Sequence, residues 1–318
     1  MAELVASEND YEDLLGQWSD LESGLGIILS SPDNAREFLH RVVQYDRWMQ
    51  GLMTRDADVG LYLLFQLAGN SPVGYSASHA LVCGTLCHLI AHELGLSATQ
   101  RDSLVYAALT MNIAMTDLQD VLANQSEKPS PTQQEIIQSH AQRSGALLAS
   151  LGVVDSLWLG IVSCHHDDLN NHRDNLDAAD ALRLSGILKV VDRYAAMISP
   201  RMSRAGRTAT ESARAVMASA SATSDEVAHA MVRAVGLCPP GTFVRMETGD
   251  LAVVLRRSSV ANQPYVAIVG NADGTLLRTP QLHRTAADEP SIRTALAATA
   301  VQANLNHFHI LRLAAQAN

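Results

Sequence analysis

The central part of the sequence restricts the fold most, because its apolar residues recur at helical spacing between clear start and stop signals. A helix is predicted from about Ser76 to Leu94, and Gly95 supplies the glycine that commonly follows a helix end. Ser97 is a suitable N-cap for the next helix, which extends to Met111. Consecutive helices of this kind bury their apolar faces against one another, so the region indicates a helical bundle.

The same alternation of helices and polar breaks continues toward residue 197. A capping box of Thr132 and Glu135 predicts the start of a helix that runs through Leu148. Asp155 is the predicted cap of the next helix, which ends at Cys164-His165-His166. A polar loop at 167–177 and a helix at 178–197 follow. Histidine and aspartate residues therefore fall at the ends of several predicted helices.

The two ends of the chain differ from this central region. Three segments are predicted: a helical N-terminal extension at 1–70, a helical domain at 71–237 and a β-rich appendage at 238–318. Short alternating runs in the appendage predict one hairpin around Thr248-Gly249-Asp250 and a second around 271–274, followed by a terminal helix from about Ile292 to Ala315. The predicted fold class is mostly α, a helical bundle with a short helical extension and a small β-rich appendage that ends in a helix.

Composition supports helices and narrows the expected partners. Aromatic residues make up 4% of the chain and apolar residues 47%, which favours helices packed on helices over an aromatic-rich β-sandwich. The formal net charge of −10 repels a polyanion, so nucleic acid is not an expected partner. The sequence shows neither a basic, apolar leader nor a segment long enough to span a membrane, so a cytoplasmic protein without membrane contact is expected.

Several central residues are of the types that bind transition metals, and a bundle brings such side chains together from facing helices. The candidate metal ligands are His79, His140, His165, His166 and Asp192. The alternative is that these histidines cap helices or lie at the surface, since the chain holds twelve histidines and chance pairs are common.

The four cysteines are too few for a disulfide framework in a chain of this length and are expected to be reduced thiols. Cys83 and Cys87 lie four residues apart on the same predicted helix face as His79. No further ligand follows at a zinc-like spacing. Core packing is therefore predicted for both cysteines, over metal binding.

Taken in order, these residues resemble the HD-GYP subgroup of the HD phosphohydrolase superfamily over about 75–204. The matching features are a helical histidine (His79), a lone histidine followed by glycine (His140, Gly145), a histidine pair (His165, His166), an aspartate followed by Tyr-Ala (Asp192, Tyr194, Ala195) and two later basic positions (Arg201, Arg204). In the appendage, Pro240-Gly241-Thr242 and Thr248-Gly249-Asp250 are similar to short elements that often follow this domain.

The resemblance implies an HD-domain bundle from a bacterial protein linked to cyclic di-GMP. It also implies that the four histidines and the aspartate bind one divalent transition metal (Fe, Mn or Zn). Arg201 and Arg204 are expected to bind phosphate, with Arg193 and Arg207 nearby in the sequence. A solvated surface is the alternative for these arginines.

The resemblance fails at the positions that carry catalysis in the family. Where the family has His-Asp-Ile-Gly-Lys, this chain has Met111-Asn112-Ile113-Ala114-Met115. The Asp of the family bridges two metal ions, whereas Asn112 is neutral and Met111 is a poor ligand for a hard cation. The Gly-Tyr-Pro of the family is also absent after the histidine pair, although an acid remains at Asp167.

Three functions are compatible with these residues. The first is a catalytically impaired module that binds a cyclic dinucleotide or a signalling protein. The second is a residual metal-dependent phosphodiesterase or phosphohydrolase, and the third is a helical interaction protein whose histidines only cap and pack. We favour the first, because the substitutions fall together on the Asp, the Lys and the Gly-Tyr-Pro while the helical frame remains.

Overall fold

The computed structural model describes residues 8–67, 73–167, 179–218, 222–260, 262–301 and 305–317. The predicted break at Asn70-Ser71-Pro72 and positions 168–177 of the predicted polar loop lie outside the described residues. The region that corresponds to the Gly-Tyr-Pro of the family falls within the second of these gaps.

The described chain is mostly helical, as predicted. The α-helices are α1 (Glu8–Ser30), α2 (Phe38–Leu67), α3 (Tyr75–Glu93), α4 (Ala98–Thr110), α5 (Thr116–Ala123), α6 (Pro131–Ser150), α7 (Ser156–Cys164), α8 (Ala179–Ile198), α9 (Ala209–Met217), α10 (Ala222–Val235) and α11 (His307–Ala315). Short 3-10 turns lie at Pro32–Asn34, Ile113–Met115 and Ala298–Ala300. None of the described helices combines the length and the hydropathy required to cross a bilayer.

Capping residues explain where the central helices begin and end. Ser97 caps α4 in a capping box with Gln100. Asp155 caps α7, because its side chain accepts hydrogen bonds from the N–H groups of Leu157 and Trp158. Gly95 has a φ of 62°, which confirms the predicted glycine stop after α3.

The start of α6 corrects one prediction, since the capping box of Thr132 and Glu135 is wrong. The Ser130 hydroxyl accepts from the N–H of Gln133, and the Gln133 side chain accepts from the N–H of Ser130. Pro131 takes the first helical position, where its fixed φ suits a helix and its missing N–H leaves no donor unpaired. Ser130 and Gln133, like Thr132 and Glu135, have the spacing of a capping box. Pro131 at the first helical position places the helix start at Ser130.

The C-terminal strands form one antiparallel sheet in the order β4-β3-β2-β1-β5. The strands are β1 (Phe243–Met246), β2 (Leu251–Arg256), β3 (Tyr265–Gly270), β4 (Leu276–Arg284) and β5 (Ile292–Leu296). Both predicted hairpins are confirmed. β1 pairs with β2 across a turn in which Gly249 has a φ of 94°, and β3 pairs with β4 across the turn at 271–274.

The predicted continuous helix at 292–315 is wrong. Residues Ile292–Leu296 form β5, and only His307–Ala315 form the terminal helix, α11. The free edge of β1 offers backbone hydrogen-bonding groups, and β5 satisfies them in a register that sets Val244 opposite Ala295. Strand pairing therefore overrides the helix propensity of this alanine-containing segment.

One hydrophobic core includes residues from all three predicted segments. It contains Trp18 of α1, Trp158 of α7 and Val253 of β2. α1 and α2 pack against α3, so the N-terminal helices are part of this core. Arg256 of β2 forms a part-buried ion pair with Asp56, where α2 is kinked, and this contact ties the sheet to the N-terminal helices.

Candidate metal centre

Three histidines, one on a helix and two just beyond the end of another, form a first cluster of metal-ligand side chains, the three-histidine group. His140 lies on α6, and His165 and His166 directly follow α7. One ring nitrogen from each histidine lies within 4.8 Å of the other two. His140 and His165 are buried, whereas His166 is exposed and leaves the group accessible from solvent.

Backbone carbonyls fix the orientation of the two buried rings. The Nδ1–H of His140 donates to the carbonyl of Ile137 (2.6 Å), and the Nδ1–H of His165 donates to that of Val162 (2.7 Å). A carbonyl oxygen only accepts, so Nδ1 carries the proton in both neutral rings. Their Nε2 atoms then face each other at 3.3 Å with unshared electron pairs. A shared cation or proton makes this contact favourable.

Burial disfavours the proton as the shared partner. Burial, together with the charge of His166, lowers the pKa of His165 to about 3. Burial also lowers the pKa of His140. Both rings are therefore neutral near pH 7, which is the form of imidazole that binds metal ions. The three-histidine group thus fits a divalent transition metal.

A second cluster, the His-Cys-Asp group, lies between α3 and α8. His79 and Cys83 are one turn apart on α3, and Asp192 lies on α8. Nε2 of His79 is 2.8 Å from Oδ1 of Asp192 and 3.6 Å from Sγ of Cys83. His79 and Cys83 are buried, whereas the Asp192 side chain is 21% exposed. No third ligand follows His79 and Cys83 at a zinc-like spacing in the sequence, but the fold supplies Asp192 from α8.

Neighbouring side chains hold the ring of His79 in place. The Tyr75 ring stacks on it, with centroids 5.4 Å apart and an interplanar angle of 13°. Arg201 donates a 2.7 Å hydrogen bond to the Tyr75 hydroxyl, and its guanidinium lies 4.6 Å from the Tyr75 ring centroid. Asp120 of α5 fixes the start of α3 by accepting from the N–H and the hydroxyl of Ser76. Nδ1 of His79 is buried and has no hydrogen-bond partner among the described residues, which is uncommon in a folded core.

The two groups lie close enough for their charges to interact. Burial raises the pKa of Asp192, but the hydrogen bond and charge of His79 and the charges of His165 and His166 together hold it below its usual range. Asp192 is therefore ionised near neutral pH. α3 and α7 both pack against α8, and α6 packs against α7, so the helices that carry the two groups are neighbours in the helical core.

The segment Met111–Met115 packs against α6 close to the three-histidine group. Met111 directly follows α4 and is buried, with 1% of its surface exposed. The N–H of Ala114 donates to the hydroxyl of Ser144 (3.2 Å), one turn after His140 on α6. The segment contains no carboxylate and no imidazole, so none of its side chains offsets the charge of a metal ion.

The predicted phosphate-binding arginines differ in position. Arg201 reaches the His-Cys-Asp group through Tyr75, and its Nε is buried with no partner among the described residues. Arg193, Arg204 and Arg207 are exposed. Burial and the charge of Arg201 lower the pKa of Arg204, whose guanidinium donates to a backbone carbonyl of α8. The geometry therefore brings Arg201 to the site and leaves Arg204 at the surface.

Comparison with known proteins finds a distant relative. The chain is 26% identical over 185 residues to the cyclic di-GMP phosphodiesterase PA4108 of Pseudomonas aeruginosa. The match covers 58% of this chain and 45% of the relative, so the chain spans under half of that protein's length. No family model matches the chain, and no solved structure matches it. The similarity supports a distant HD-GYP-like relationship.

Proposed function

We propose that this chain is a degenerate HD-GYP-like module that holds metal and binds a cyclic dinucleotide or a signalling protein without hydrolysing the nucleotide. One observation carries the proposal: two clusters of metal-ligand side chains lie together, and the segment packed on α6 beside them is Met111–Met115. That segment packs in the helical bundle but has neither the Asp nor the Lys of the family pattern. The distant similarity to a cyclic di-GMP phosphodiesterase makes cyclic di-GMP the first ligand to test.

The site has features suited to a bound phosphate. A divalent ion held by these side chains supplies positive charge to phosphate oxygens. Arg201, ordered by its contact with Tyr75, adds a planar guanidinium whose donors match two phosphate oxygens. His166 is the exposed member of the three-histidine group, so we expect a ligand to approach from its side.

The expected loss of hydrolysis follows from charge. Asp192 is the one carboxylate in the two groups, which otherwise offer imidazoles and a thiol. Two divalent ions side by side repel each other unless carboxylates compensate their charge. Asn112 offers only a neutral amide where the family pattern has a bridging Asp, and Met115 stands where it has a Lys. We therefore expect one ion to be held more tightly than the other and catalysis to be absent.

A residual metal-dependent phosphohydrolase is the second candidate function. It is favoured by the fact that the five ligand-type residues of the family pattern all belong to the two clusters. This function requires turnover of cyclic di-GMP that disappears in His140→Ala and His166→Ala. A purely structural role for the histidines requires that the same substitutions change stability and nothing else.

Binding and turnover by the full chain separate these functions. Purified protein is loaded with Mn²⁺, Fe²⁺ or Zn²⁺, and cyclic di-GMP is added in a calorimetric titration and in a hydrolysis assay. We expect saturable binding without product. Arg201→Ala is expected to weaken binding about tenfold or more, because charge-assisted hydrogen bonds are lost. Arg204→Ala, which removes a neighbouring exposed arginine, is the matched control and should bind nearly as the wild type does.

The outcomes assign the function. Product formation that requires His140 and His166 favours the residual hydrolase. Absence of both heat and product removes the nucleotide from the proposal and leaves a signalling protein as the partner.

A further inference from the structure

We infer, building on the proposed metal-binding function, that Cys83 is a metal ligand and that the His-Cys-Asp group selects zinc over manganese or magnesium. The HD-GYP pattern that the sequence resembles has histidine and aspartate ligands and no cysteine. The thiol one turn from His79 is therefore a feature of this chain, and it changes the kind of ion that this half of the site prefers.

The distances between the ligand atoms fit a zinc ion. Sγ of Cys83 and Nε2 of His79 are 3.6 Å apart. Two ligands of a tetrahedral zinc ion, with Zn–S of about 2.3 Å and Zn–N of about 2.1 Å, are also separated by about 3.6 Å. Nε2 of His79 and Oδ1 of Asp192 are 2.8 Å apart, a hydrogen-bond distance that opens by about 0.5 Å to admit the ion.

The surrounding structure pre-positions two of the three ligands. Residues four apart on a helix share one face, so α3 directs His79 and Cys83 to the same side. Stacking on Tyr75 holds the imidazole plane, and Asp120 holds the start of the helix. Asp192 is partly exposed, so its carboxylate has room to adjust and the ion has a route of entry from solvent.

Charge balance also favours a divalent ion at this group. Once bound to a metal, a carboxylate and a thiolate together neutralise a divalent cation, and an imidazole binds as a neutral ligand. Binding forms a sulfur–metal bond and releases the thiol proton to solvent. The three-histidine group carries no negative charge, so the same ion there leaves a net positive site. Neutrality matters at Cys83 because its side chain is 0% exposed.

The thiolate decides which metal is preferred. Sulfur is a soft ligand that suits zinc, whereas manganese and magnesium prefer carboxylates, carbonyls and water. Cys87 lies one turn further along α3, is also 0% exposed and belongs to neither cluster of the described residues. It is therefore a matched control for the loss of a buried thiol.

Cobalt substitution tests the sulfur ligand directly. The metal-free chain is titrated with Co²⁺, which occupies zinc sites and gives a thiolate-to-cobalt charge-transfer absorption when sulfur is bound. We expect this absorption in the wild type and in Cys87→Ser, and its loss in Cys83→Ser. The three-histidine group contains no sulfur and does not contribute. Absence of the band in the wild type, or its persistence in Cys83→Ser, overturns the inference.

Metal competition on the wild type gives a second readout that does not depend on whether Cys83→Ser folds. Zn²⁺-loaded protein is exposed to a hundredfold excess of Mn²⁺, and the zinc released is measured with a chromophoric chelator. We expect the zinc at this group to be retained, and a folded Cys83→Ser to bind zinc at least about tenfold more weakly. Displacement of all zinc by manganese overturns the inference. Neither measurement involves a nucleotide, so failure of cyclic di-GMP binding leaves this result intact, and the reverse also holds.

Discussion

α4 and α7 pack against each other, and their C-terminal ends differ in chemistry. Met111 directly follows α4 and His165 directly follows α7, and each is 1% exposed. Met111 lies in the hydrophobic core, whereas His165 donates to the carbonyl of Val162 and faces His140. The thioether of Met111 fills one buried helix end and makes no hydrogen bond with the described residues. An apolar side chain is thus sufficient to fill a buried helix end at this place in the core. Packing alone does not explain the imidazole of His165 at the end of α7, which supports a binding role for the three-histidine group.

The largest effect is expected from removing the imidazole that faces His165. In His140→Ala the three-histidine group loses one candidate ligand, the imidazole whose Nε2 atom lies 3.3 Å from Nε2 of His165. The affinity of this group for Mn²⁺ is expected to fall about a hundredfold or more. A calorimetric titration of the full chain measures this change.

A surface histidine provides the control for this substitution. The side chain of His92 on α3 is 96% exposed, so His92→Ala should leave metal affinity unchanged. The cobalt–thiolate absorption of the His-Cys-Asp group should persist in both variants. Equal Mn²⁺ affinities for His140→Ala and the wild type would make the ends of α4 and α7 functionally equivalent and remove the binding role.

A buried carboxyl outside both groups provides a further comparison, because it measures how burial of an ionisable side chain changes the free energy of unfolding where no ligand is expected. Asp46 of α2 is 1% exposed, and burial raises its pKa from 3.8 to about 6. The folded state holds the proton more tightly than the unfolded state, so the free energy of unfolding falls as the pH rises through this range. Asp46→Asn is expected to raise the free energy of unfolding at pH 7 by about 2 to 3 kcal/mol and to remove this pH dependence.

Urea denaturation at pH 4.5 and pH 7 measures the effect. Asp33→Asn, at an exposed position, is the control and should change the free energy of unfolding by less than about 0.5 kcal/mol. A destabilised Asp46→Asn at pH 7 would mean that the ionised carboxylate is stabilising. Burial of an ionised side chain without a bound ion would then carry no cost in this fold, and the buried ligand-type side chains would no longer need an ion to explain them.

The smallest effect is expected at the start of α6, the helix that carries His140. Ser130→Ala removes the hydroxyl that accepts from the N–H of Gln133 and should lower the free energy of unfolding by about 1 kcal/mol. Thr132→Ala should be neutral or slightly stabilising, because Thr132 is exposed within the helix and alanine has the higher helix propensity. Thermal or urea unfolding of the two variants compares them. A larger loss for Thr132→Ala would restore the capping box predicted from sequence.

Local signals account for the features that the sequence predicts well. The helix limits at Ser97 and Gly95 follow from capping chemistry between residues that are close in sequence. The hairpin turn at Gly249 follows from the need for a positive φ. Resemblance to a family pattern adds the order of the ligand-type residues, and the fold brings these into two clusters.

Contacts between distant segments explain what the sequence does not reveal. Asp192 completes the set of His79 and Cys83 from another helix, so spacing within α3 gives no sign of it. The pairing of β5 with β1 depends on an open sheet edge that exists only in the folded protein. The carbonyl of Val162 that orients His165 is likewise invisible in a residue pattern, because every residue has a carbonyl.

Turnover of cyclic di-GMP by the metal-loaded chain distinguishes a module that only binds the nucleotide from one that hydrolyses it. We predict that the wild type yields no product with Mn²⁺, Fe²⁺ or Zn²⁺ under conditions in which it binds the nucleotide. Sustained turnover by the wild type that is abolished in His140→Ala would show that the site hydrolyses cyclic di-GMP despite the neutral amide of Asn112. That result would contradict the proposed loss of catalysis.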